Sequence, residues 1–261
     1  MAFFIFIVPI GLLYGHGDLH HVIKALDTQI KAAPSDANLF LQRASYHRKH
    51  GDFRQALRDA KHAKTLQPKL IDHQLLCARI HADQKDWTRA KAALDSYLTA
   101  RPKNATGLAF RSKINSLLGK NGAAIKDIKM AIHVHERAPL PLYLQHVDFL
   151  LENKNVDTAL AVFAQAEKSL GSLPTLLTSK ARMLRDYNRP TEASRVYTTL
   201  RNTNTKLAYI WWREEAEMWK KHDQKKAKQA ILEAKQAWSD LPARTKKLPH
   251  MRQQYQNMLS K

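Results

Sequence analysis

Three prolines, Pro34, Pro68 and Pro102, stand 34 residues apart, and the same order of small and large residues recurs around each. One unit holds Phe40, Ala44, Gly51, Phe53, Ala56 and Ala63; the next holds Ala78, Asp86, Trp87, Ala90, Leu94 and Tyr97. Thirty-four residues suffice for two antiparallel helices and their turns, and such a unit leaves an apolar face that only its neighbour can cover. The best tracer is an alanine early in the second helix, because two helices cross closely only where one presents a methyl group. It recurs as Ala56, Ala90, Ala124, Ala159, Ala193 and Ala227, at intervals of 34, 34, 35, 34 and 34. One extra residue therefore enters near Ala138, Pro139 and Pro141. Projected backwards, the period puts Val22 at the alanine place and His16-Gly17-Asp18-Leu19 at a turn, which makes 18–34 a second helix whose first helix lies upstream.

These residues resemble the tetratricopeptide repeat family over about 18–238. The family places a large apolar residue fourth in each unit, and Phe40, Leu108, Tyr143, Leu177 and Trp211 fit, whereas Gln74 does not. The closing proline is lost in later units, where Glu136, Gly171, Thr205 and Ser239 stand instead. The resemblance implies an all-α solenoid of helical hairpins wound as a right-handed superhelix, with about six and a half repeats over 16–238. A C-terminal capping helix is expected over 239–261, from Leu248, Met251, Tyr255, Met258 and Leu259 at helical spacing.

The segment Phe3 to Tyr14 is an unbroken apolar run followed by Gly15, His16 and Gly17. It is short for a bilayer span and suits the apolar core of a signal peptide, so 1–15 is expected to be a leader. The competing reading is a retained apolar first helix of the first repeat, attached to a membrane. Pro9 and Gly11 and the lack of a polar face count against that helix. With the resemblance, the leader implies an exported bacterial protein of the periplasm. The single cysteine, Cys77, forbids an intrachain disulfide and reads as a small apolar side chain.

The 261 residues carry 43 Lys and Arg against 23 Asp and Glu, a net charge of +20, which favours anionic partners without identifying one. The densest run, Lys220 to Lys228, lies among Trp211, Trp212, Trp219 and Trp238, a mixture found on nucleic-acid surfaces. Repeat phasing instead assigns Trp211 to the core and the lysines to a solvated face, so no nucleic acid is expected. In the family, the second, fifth, ninth and twelfth places of each first helix line a concave groove. Carried onto this chain, the resemblance puts Arg48, Arg79, Lys113, Arg182, Arg185, Trp212 and Trp219 there, with Leu41, Ser45, Leu75, Ala109, Leu144 and Asp148 between them. Arg pairs bidentately with carboxylate, so such a groove would hold an acidic extended peptide. The Lys and Asn of the family's carboxylate-gripping subgroup are absent; Leu41 and Ser45 stand in their places.

No phosphate loop, nucleophile elbow or His-Glu-x-x-His helix occurs, so neither an enzyme nor a cofactor is expected. Gly119 and Gly122 read as turn glycines, and Asn104-Ala105-Thr106, a glycosylation acceptor in form, reads as a helix cap. Cleavage after Gly15 would leave His16 at the N-terminus, where it and His20 form one candidate copper pair. That set is incomplete by usual ligand spacing. The function expected is a non-enzymatic scaffold for a protein or peptide, with docking on anionic lipid or polymer as the alternative.

Overall fold

A computed structural model of the chain describes residues 16–249 with Met251, Gln253, Tyr255 and Gln256. The apolar run expected as leader or first helix, and His16 as a side chain, lie outside what is described. The rest is a succession of helices: α1 (His16–Ala32), α2 (Ala37–His50), α3 (Phe53–Leu66), α4 (Asp72–Asp83), α5 (Trp87–Ala100), α6 (Ala105–Leu117) and α7 (Asn121–His133). There follow α8 (Leu140–Glu152), α9 (Val156–Leu170), α10 (Pro174–Asp186), α11 (Pro190–Thr203), α12 (Ala208–Trp219), α13 (Gln224–Ser239) and the short α14 (Ala243–Lys246). Helices α2 to α13 pair consecutively into six hairpins, with α1 as the preceding half unit. No strand occurs among the described residues. The chain divides into two compact units, Met1–His135 and Glu136–Lys261.

In the first unit the sequence period acts through stops, turns and small residues. Helices α1, α3 and α5 each end two residues before Pro34, Pro68 or Pro102, as expected where a proline disfavours helix at the residue before it. Restarts are capped: Asp36 accepts from the Asn38 N–H, Asp86 from that of Arg89, and Asn104 from that of Gly107 at 2.8 Å. Asn104 therefore caps a helix, as read from sequence. The turns inside hairpins need one left-handed residue, supplied by Gly51 (φ 94°) and Gly119 (φ 71°) but by Lys85 (φ 59°) in the middle hairpin.

The tracer alanines Ala56, Ala90 and Ala124 are completely buried. They face a second series of small residues on the first helices, Ala44, Ala78 and Ser112, also completely buried. At the third crossing the backbones come close enough for the Ser112 hydroxyl to donate to the Ala124 carbonyl at 2.7 Å. Each core spans three helices. Ala44, Ala56, Ala60, Leu76 and Ile80 join α2, α3 and α4, and Ala78, Ala90, Ala93, Leu94 and Ile114 join α4, α5 and α6. A hairpin thus completes its core only with the next first helix, which is why the fold must be an array. Cys77 is half-buried beside both cores, and burial pushes its thiol up from the ordinary value.

Polar ties also join successive hairpins of this unit. The Arg43 guanidinium donates to Asp59 at 2.8 and 2.7 Å and to Asp27 on α1 at 2.7 Å. Sixty-eight residues later, Arg111 repeats the arrangement with Asp127 at 2.8 Å and Asp95 at 3.0 Å. Both guanidiniums are held above their ordinary value, first by the hydrogen bonds from Asp59 and Asp127, which outweigh burial.

In the second unit Ala159 and Ala193 are again fully buried and Ala227 is 3% exposed. Lys154 (φ 58°) and Asn188 (φ 61°) take the left-handed turn place. The last hairpin departs in register. Ala216, completely buried, takes the small place on α12, only 11 residues before Ala227, where earlier pairs such as Ala44 and Ala56 stand 12 apart. The first helix is therefore phased one residue later than the second-helix alanines predict. Beyond Ser239, which belongs to α13, the chain turns at Leu241 and is helical again at Met251. Tyr209, Trp238, Leu241 and Met251 form the closing cluster, with Tyr255 stacked on Trp238 at 4.5 Å.

A candidate binding cleft on the first helices

Within the first unit, α2, α4 and α6 present Arg48, Arg79 and Lys113 to one cleft of about 400 Å³. Apolar groups complete it: Ala82 from α4, Trp87 from the start of α5, and Phe110, Ile114 and Leu117 from α6. Three of the residues named from sequence are thus brought together, 34 positions apart or nearly so, because one groove place per repeat returns to the same side.

The three cations differ. Arg48 is half-buried and donates to Asp83 at 2.6 Å. Its Nε–H is buried without a hydrogen-bond partner. Arg79 and Lys113 are exposed and enter no ion pair among the described residues. The cleft therefore holds three cations against the single carboxylate of Asp83. An exposed pair of the Arg48–Asp83 kind is worth only roughly 0–1 kcal/mol, so an incoming carboxylate can compete for Arg48. Leu117, 48% exposed, and half-buried Phe110 offer apolar contact within reach of these charges.

Asp83 and Leu117 escaped the sequence reading. They are 34 residues apart, one place after the twelfth position of their helices, so the period carried the signal although the groove rule did not.

In the second unit Arg182 is exposed without an ion pair among the described residues. Arg185 is committed, donating to Asp186 at 2.9 Å and to Glu214 at 3.4 Å, and is raised first by the Asp186 hydrogen bond. Trp212 and Trp219 need correction as groove residues. Trp219 is 7% exposed, with its Nε1–H directed to Glu215 at 3.4 Å and the Lys226 ammonium 4.3 Å above its ring. Trp212 is half-buried with the Arg201 guanidinium 3.5 Å from its ring centre. The one-residue phase change in α12 is the cause: it turns these indoles toward α11 and α13. By the shifted register the groove places of α12 fall on Ile210, Arg213, Glu217 and Lys220.

The His20 ring lies 6.3 Å from that of His50, whose Nδ1 is 3.0 Å from Asp52. No group of three His, Cys, Asp or Glu side chains among the described residues is placed to hold a metal ion. Nor is any described helix long and apolar enough to cross a membrane.

No protein-family model and no curated protein sequence matches the chain. Solved structures do. A tetratricopeptide repeat protein from Parabacteroides merdae superposes with a TM-score of 0.57 at 15% identity, over 88% of this chain and 90% of its own. PilF of Pseudomonas aeruginosa gives 0.54 at 14% identity, over 79% and 93%. YrrB, described as a tetratricopeptide protein with an unusual peptide-binding site, gives 0.53 at 14% identity, over 69% and 92%. The chain has the tetratricopeptide fold.

Proposed function

We propose, with the tetratricopeptide fold as premise, that this protein is a non-enzymatic scaffold that holds an extended acidic segment of another protein in the cleft on α2, α4 and α6. The observation that carries this reading is the pair of exposed, unpaired cations, Arg79 and Lys113, set beside Phe110 and Leu117. Cations alone attract any anion. Adjoining apolar groups favour a chain that alternates carboxylates with large side chains, since apolar burial holds what charge only steers. The peptide-binding site described for YrrB supports the same use of the fold. Arg48, already partnered, is the cation that exchanges Asp83 for a ligand carboxylate.

The test is fluorescence anisotropy with labelled extended peptides in which Asp or Glu flanks Leu or Phe. The wild-type protein is expected to bind such peptides in preference to scrambled neutral ones. Arg79→Ala with Lys113→Ala should weaken binding about tenfold or more, the loss of two charge-assisted contacts. Retention of affinity by that double variant would reject the cleft as the site.

A further inference from the structure

The last helix of the array, α13, carries a second surface that the cleft does not explain. At 100° per residue, Gln224, Lys225, Lys228, Ile231, Leu232 and Lys235 fall within an arc of about 120° on one side of the helix. Ala227, Ala230, Ala234 and Trp238 occupy the opposite, buried side. Lys225, Lys228 and Lys235 are exposed, as is Lys221 in the preceding turn. None of the four enters an ion pair among the described residues, whereas Lys220 and Lys226 are matched by Glu217 and Asp223. The acidic residue within α13, Glu233, lies off the arc and accepts from Gln229 at 2.7 Å.

At the centre of these lysines Leu232 is 60% exposed, more than any other exposed large apolar residue described. With Ile231, Ala227 and the stems of Lys220 and Lys228 it lines an apolar depression of about 380 Å³. The outer face of a terminal repeat is expected to be polar, because nothing follows to cover it. The closing cluster around Tyr209, Trp238 and Met251 covers the other end of α13 and does not include Ile231 or Leu232.

We propose that this face docks on an anionic lipid surface, with Leu232 entering the headgroup region and Lys221, Lys225, Lys228 and Lys235 set above the phosphates. The occupant follows from the chemistry. The cations are all lysines, compact point charges suited to a diffuse anionic plane, and no arginine fork is present to read an individual carboxylate. A basic helix face with an exposed aliphatic residue suits a headgroup boundary. This inference is independent of the cleft on α2, α4 and α6.

Cosedimentation of the full chain with phosphatidylcholine vesicles, alone or mixed with phosphatidylglycerol, tests it. Binding is expected only to the mixed vesicles and should weaken as salt rises. Leu232→Glu, and separately Lys225→Glu with Lys228→Glu and Lys235→Glu, should each lower partitioning about tenfold or more, since each lysine contributes about fivefold near a charged membrane. Unchanged far-ultraviolet dichroism and melting would show that these surface variants still fold. Arg79→Ala with Lys113→Ala should bind vesicles as wild type does. Equal binding to neutral vesicles, or full binding by either α13 variant, would overturn the proposal. So would an acidic polypeptide or an oligonucleotide that binds through the same lysines with no contribution from Leu232.

Discussion

Arg43 shows how much one side chain decides in this chain. Its guanidinium lies between Asp59, whose side chain is 10% exposed, and Asp27, which is 45% exposed. The exposed Asp27 contact adds little, roughly 0–1 kcal/mol. Asp59 is the costly partner, because its carboxylate cannot recover water if the guanidinium is removed. Arg43→Ala is therefore expected to destabilise by about 2–4 kcal/mol, seen as a lower denaturant midpoint, whereas Arg43→Leu with Asp59→Leu should cost much less than the sum of the two single changes. Additive losses would show that the pair does not act as a unit. The same reasoning applies to Arg111 and Asp127. These ties were open to sequence reasoning, since each arginine has an aspartate 16 residues before and 16 after it. That spacing was passed over because apolar periodicity alone was followed.

At the level of the hairpin, the left-handed residue of the intrahelical turn decides how well each unit closes. Gly51 and Gly119 adopt that conformation without strain, but Lys85 and Lys154 carry a Cβ into it. The conformation costs a non-glycine residue about 1–2 kcal/mol, while glycine loses about 0.5–1 kcal/mol more entropy on folding. Lys85→Gly should therefore stabilise the protein by about 0.5–1 kcal/mol, raising the calorimetric melting temperature, and an unchanged or lower value would refute the strain argument. Hairpin boundaries were legible because proline stops, turn residues and small crossing residues all repeat with the fold. Trp212 and Trp219 were misplaced for a specific reason. The alanine series reports the phase of second helices only, and the shortened link to α13 lets the first helix of that hairpin turn by one residue unnoticed. A check of the small series, Ala44, Ala78, Ser112, Ala181 and Ala216, would have exposed the slip.

Across the whole molecule, the net charge of +20 sets a field that raises encounter rates with any anion. Specificity must then come from where cations stay unpaired beside apolar groups. That occurs in the cleft of Arg48, Arg79 and Lys113 and again on the lysine face of α13. The first of these was partly visible in sequence, because the repeat returns one groove place per unit. The pairing of Arg48 with Asp83 and the apolar wall of Leu117 depend on packing, which no linear pattern states. The central claim is that an acidic peptide lies on the first helices of the first unit. Hydrogen-exchange mass spectrometry of the full chain, with and without a saturating acidic peptide of the kind that binds, tests it most directly. Added protection is expected in α2, α4 and α6; protection falling instead on α3, α5 and α7, or confined to the second unit, would contradict it.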